Sequence, residues 1–140
     1  MCGLTTVRGL EGHIELVFVR PLLAELRVYV FKSKRKGLKR LVVGGLHGRE
    51  GLATGRVLER FVGDGRPRNG TLVVVPSICL KSKYVSTLSE RYLKTKEGRA
   101  LLGLLRYYGP DVYVEVHCYA EKAYRSLTSP TRLNKKGFLD

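Results

Sequence analysis

The sequence predicts an α/β protein with a mixed, mostly parallel central sheet flanked by helices. The first observation is a set of β-rich runs, "RLVVGGL" (40–46), "TLVVVP" (71–76) and "DVYVEVHCY" (111–119). The first two are continuous apolar stretches of the kind buried on both faces of a central sheet. The second is helical spacing between them: "EGLATGRVLERFV" (50–62) places Leu52, Ala53, Val57, Leu58 and Phe61 on one side of a helix. The third is the alternation of such strands and helices after position 40, which layers helices on a sheet.

Each element has its own local cause. "HIELVFV" (13–19) and "LRVYVF" (26–31) are β-rich with partial alternation, giving hairpin strands at the N-terminal edge of the sheet. "KSKRKG" is a hairpin-like connection into the first buried strand. "GDGRPRNG" (63–70) is dense turn chemistry, and Pro76 stops the second buried strand. "LSERYLKTKEGRALLGLLRYYG" (88–109) is expected to be a helix interrupted near Gly98 and ended by Gly109-Pro110. The hydroxyl residues of "YVSTLSER" are expected to cap it. "AYRSLTSPTRLNKKGFLD" has no clear terminal strand or helix. With 140 residues, the chain reads as a single domain over 1–140.

Composition narrows the classes. A hydrophobic content of 44% with 27% charged residues is that of a globular chain. Cys2, Cys79 and Cys118 are too few and too scattered for a disulfide framework, so a reducing compartment is expected. The N-terminus lacks a charged leader followed by an apolar core, and no run reaches the roughly 20 apolar residues of a membrane span. The expectation is a cytoplasmic protein with no membrane partner. Charge is the unusual feature, with 26 basic against 12 acidic residues, a net +14. "KSKRKGLKR" (32–40) concentrates it, a second scatter covers Lys81, Lys83, Arg91, Lys94 and Lys96, and "RLNKKG" forms a third. A nucleic-acid partner therefore stays open as an alternative, although no RNA-binding aromatic motif, basic helix with heptads or zinc finger accompanies these runs.

The chemistry concentrates at strand ends. In open α/β sheets ligands gather at the carboxyl ends of strands. His47 follows one buried strand, Glu50 stands at the start of the next helix, and His117 ends another strand. A catalytic zinc takes three such protein ligands and leaves a position for water. Glu115 points to the same strand face as His117, either as a partner that orients the histidine or as an acid within the site. His13 begins an edge strand, and strand alternation turns Cys118 away from His117, so neither joins the set.

"VVGGLHGREG" resembles the G-x-H-G-x-E signature of zinc carboxypeptidase-like enzymes, particularly the succinylglutamate desuccinylase/aspartoacylase branch. "YVEVHCY" is similar to that family's later D-x-H strand, with Glu115 where Asp is usual. The chain also resembles an archaeal family distantly related to this branch, over about 38 to 132. The resemblance implies a carboxypeptidase-like fold, one zinc ion per chain on His47, Glu50 and His117, and hydrolysis of an amide bond in a small acidic or N-acyl substrate. Lys83-Tyr84 resembles the family's Arg-Tyr pair, and Arg91 falls near its last substrate-binding arginine, so Lys83 and Arg91 are expected to hold a substrate carboxylate. The family's proton-transferring glutamate lies well downstream of the third ligand, whereas this sequence ends at Asp140. Either Glu115 or Glu121 takes that role, or the chain is a C-terminally shortened relative that binds metal without efficient turnover.

Overall fold

A computed structural model describes residues 4–9, 12–19, 24–64 and 66–131. The basic "RLNKKG" run and the extreme N-terminus lie outside the described residues. Six strands form one sheet: β1 (Leu4–Gly9), β2 (Gly12–Val19), β3 (Ala24–Lys32), β4 (Lys39–Gly44), β5 (Thr71–Val75) and β6 (Val112–Val116). Their order is β1-β2-β3-β5-β4-β6. The N-terminal strands pair antiparallel through β3 onto β5, and parallel pairing is confined to β5-β4-β6.

Two helices cover opposite faces, α1 (Gly51–Asp64) and α2 (Lys96–Tyr108). Strand alternation decides which residues meet which helix. Leu41 and Val43 of β4, with Val73 and Val75 of β5, pack with Ala100, Leu101 and Leu104 of α2. Leu72 and Val74 of β5 and Phe31 of β3 pack with Leu58 and Val62 of α1. Both faces of β5 are therefore filled, which is why "TLVVV" is apolar without alternation. Burying one such valine or leucine stabilises the fold by about 1.5–3 kcal/mol. Strand β6 forms the far edge, and its Val112 and Val114 stay exposed. No helix among the described residues is long and apolar enough to cross a membrane.

The expected helix over 88–109 is shorter, because the hydroxyl group that caps it is Thr95. Its Oγ1 accepts the Gly98 N–H at 3.0 Å, and a 3-10 turn (Tyr92–Lys94) precedes it. A Cβ on Gly98 would stand 2.1 Å from the Tyr92 carbonyl oxygen, so this glycine permits close approach of the turn rather than breaking the helix. Ser86 and Ser89 instead accept the N–H groups of Leu88 and Arg91 in the preceding loop. Gly109 ends α2 in the left-handed conformation, as expected for its position. A short helix α3 (Tyr124–Thr128) also forms where no terminal element was evident; five residues are too few to show a period.

The order of strands positions the site. From β4 the chain crosses through α1 to β5 on one side, then returns through α2 to β6 on the other. Strand β4 is thus the point at which the winding reverses, and in such sheets ligands bind outside the carboxyl ends of the strands at that point. Gly45 makes the turn there with φ of +62°, and a Cβ would lie 2.0 Å from Ser77 Oγ and 2.8 Å from the Cys79 carbonyl oxygen. Gly45→Ala is expected to lower stability by roughly 2–4 kcal/mol, from backbone strain together with overpacking. Denaturant unfolding at constant m-value checks this, and an unchanged midpoint would contradict it.

Candidate metal centre

The loop from β4 to α1 is held from three directions. Thr54 Oγ1, inside α1, accepts the Gly45 N–H at 2.9 Å and donates to the Glu50 carbonyl at 3.0 Å. Glu50 is 6% exposed, and its Oε1 accepts the N–H groups of Leu46 at 2.8 Å and His47 at 3.2 Å. The segment after β5 runs alongside, with N–H groups of Ile78, Cys79 and Ser82 donating to carbonyls of Gly44, Gly45 and Gly48. Tyr92, fully buried, donates its hydroxyl to the Leu46 carbonyl at 2.8 Å.

These contacts leave Glu50 Oε2 facing the two histidines. It lies 3.1 Å from His117 Nδ1 and 3.9 Å from His47 Nδ1. The imidazole rings are stacked with centroids 5.2 Å apart, and Tyr84 meets His47 edge-on at 4.7 Å. His47, Glu50 and His117 each offer one ligand atom, and the three atoms lie within 4.8 Å of one another. Donors around a tetrahedral zinc stand about 3.4 Å apart, a spacing that these atoms bracket. Two imidazole nitrogens and a carboxylate oxygen are a donor set that could hold a metal ion.

Glu115 acts behind His117. His117 Nε2 meets Glu115 Oε2 at 2.9 Å, on the opposite side of the ring from Glu50. Thr87 Oγ1 donates to the same oxygen at 2.9 Å, and the Tyr113 hydroxyl donates to Oε1 at 2.9 Å. Such a carboxylate fixes a hydrogen on Nε2 and presents Nδ1 to a cation. The hydrogen bond to His117 holds the Glu115 carboxyl below its ordinary range. The same bond raises the His117 pKa, whereas burial lowers that of His47 and favours its neutral, ligating form.

The remaining candidates stand apart. Lys83 and Arg91 are exposed, each one residue from a side chain that touches the site, Tyr84 and Tyr92 respectively. Glu121 is exposed at the start of a 3-10 turn (Glu121–Ala123). Among the described residues, no hydrogen bond or ion pair joins Lys83, Arg91 or Glu121 to the trio. Cys118 is exposed and free. Four contributors went unread in the sequence, among them Tyr92, whose burial becomes evident only in the fold. Tyr113 shares a strand face with Glu115 and His117, a signal that alternation carries. Thr54 and Thr87 had none, because a single threonine has no readable partner until the chain has folded.

The described architecture is a carboxypeptidase-like α/β fold. An aspartoacylase family protein from Mesorhizobium loti superposes with a TM-score of 0.56 at 21% identity, over 84% of this chain and 38% of that one. A succinylglutamate desuccinylase from a Silicibacter species gives 0.55 at 17% identity, over 84% and 44%. A metallo-carboxypeptidase from Pseudomonas aeruginosa, solved in complex with (2-guanidinoethylmercapto)succinic acid, gives 0.51 at 14% identity, over 71% and 33%. Likeness at these identities is likeness of fold.

Residues 35–138 match the family described as "uncharacterized protein conserved in archaea (DUF2119)", and the chain belongs to that family. An uncharacterized protein from Methanocaldococcus jannaschii is 41% identical over 113 residues, 79% of this chain and 56% of the relative. The chain thus spans about half the length of the curated relative it matches.

Proposed function

We propose that this protein binds one zinc ion through His47, Glu50 and His117 and hydrolyses an amide bond in a small carboxylate-bearing or N-acyl substrate. The observation that carries this reading is the convergence of those three donors at the carboxyl end of β4, with Glu115 hydrogen-bonded behind His117. The carboxypeptidase-like fold supports it. Zinc bound there would supply Lewis acidity to a carbonyl group and acidify a water molecule. Glu50 and the two histidines then act as ligands, and Glu115 holds the His117 tautomer. Lys83 and Arg91, on the segment that runs past His47, supply positive charge for a substrate carboxylate. As a lysine, Lys83 would do so as a point charge rather than a two-pronged fork.

A second reading keeps the metal without efficient turnover, and one observation favours it. Both Glu115 oxygens are already hydrogen-bonded, and exposed Glu121 has no hydrogen bond or ion pair to the trio among the described residues, so neither stands free beside it to take a proton. The two readings part in one assay. Zinc-loaded protein is incubated with N-succinyl and N-acetyl amino acids, and released amine is measured against His117→Ala. Release lost in the variant supports the hydrolase. Release no greater than the variant's, from protein that retains zinc, selects the second reading.

A further inference from the structure

The opposite end of the sheet carries a different kind of surface. Strand β4 begins there at Lys39, in register with Thr71 of β5, which in turn pairs with Lys32 of β3. The six residues of β4, about 20 Å of strand, separate this end from the metal centre. Two connections meet at it, 33–38 and 66–70, and they are laced together. Ser33 N–H donates to the Gly70 carbonyl at 2.9 Å, Gly70 N–H to the Arg35 carbonyl at 2.8 Å, and Thr71 N–H to the Leu38 carbonyl at 3.0 Å. Ser33 Oγ donates to the Arg68 carbonyl at 2.9 Å. The result is a double loop braced by its own backbone.

Its cations fall into two sets. Arg40 is committed to the structure, donating to Leu38 O, Asn69 O and Asn69 Oδ1. Lys39 Nζ likewise donates to the Tyr108 carbonyl at 3.2 Å, where it offsets the negative end of α2. Lys32, Lys34, Arg35, Lys36 and Arg68 are different: all are exposed, and none has an acidic partner within ion-pairing distance among the described residues. Asp111, near the start of β6, accepts the Lys39 N–H at 2.8 Å. Lys32 also lines a groove of about 390 Å³, together with Lys39, Arg40, Tyr107, Tyr108 and Pro110. Tyr107 is 53% exposed, and its ring meets that of Tyr108 at 4.8 Å with the planes near-perpendicular.

Four of these cations stand on the braced double loop and Lys32 at the end of β3 beside it, without acidic partners among the described residues; they repel one another, and proximity to phosphates relieves that repulsion. Because the backbone is already fixed, little ordering is required on binding. A nearby exposed aromatic ring adds what an acidic protein would not use, a face on which a base can stack. We propose that this end of the molecule is a binding surface for single-stranded nucleic acid, with Lys32, Lys34, Arg35, Lys36 and Arg68 on phosphates and Tyr107 against a base. The surface is independent of the metal centre and of any activity there.

The test is fluorescence-anisotropy binding of a single-stranded oligouridylate across a salt series, with polyglutamate as a separate ligand. Neutralising about five phosphates predicts an affinity that falls on the order of a hundredfold between about 50 and 200 mM salt. The triple variant K34E/R35E/K36E, confined to exposed side chains, should abolish binding while keeping the wild-type melting temperature. Tyr107→Ala should weaken the oligouridylate about fivefold or more and leave polyglutamate unchanged. Equal affinity for the two polyanions, or oligouridylate binding that survives the triple variant, would overturn the proposal.

Discussion

Glu50→Ala is expected to lose the metal ion and to destabilise the fold, whereas Glu50→Gln loses the metal alone. The difference follows from the two ends of one carboxylate. Oε2 faces His117 and His47, while Oε1 accepts the buried N–H groups of Leu46 and His47. Alanine leaves both N–H groups without that acceptor, at a cost of roughly 1–3 kcal/mol each. Glutamine keeps a carbonyl oxygen for them but turns an NH2 group toward the histidines, where it cannot ligate. Denaturant midpoints beside metal content separate the two effects. Equal stability of the two variants would show that Oε1 does not hold the loop.

Glu115→Gln tests the group behind His117. If Glu115 orients the imidazole, its loss weakens metal affinity about 10–100-fold while the fold persists. The dissociation constant for zinc, measured by competition with a chromogenic chelator, is the readout that distinguishes roles. A proton-transfer group would leave that constant unchanged and lower turnover only. The hydrogen bonds from Thr87 and Tyr113 predict the first result, because they hold the carboxylate against the far side of the ring.

Much of this architecture was legible in the sequence for a physical reason. β5 is buried on both faces and β4 on one face with Val42 half-buried on the other, so their apolar runs are unbroken, and His47 and His117 stand just past strand ends where the winding switches. The start of α2 was not legible. Ser86, Thr87, Ser89 and Thr95 all offer hydroxyl groups, and only the fold decides that Thr95 caps the helix while Thr87 reaches Glu115. The same limit applied to Thr54, whose two hydrogen bonds hold the site loop from within α1. Placing Lys83 and Arg91 on a substrate rests on likeness of sequence, because a charge on an exposed loop has no packing partner to locate it.

The most direct measurement is bound metal per chain by elemental analysis, on protein purified without chelator and then offered zinc, beside His47→Ala and His117→Ala. Close to one zinc is expected in the wild type, and its loss in both variants. A wild type that takes up no zinc, or variants that retain it in full, would contradict the assignment of His47, Glu50 and His117 as the metal centre.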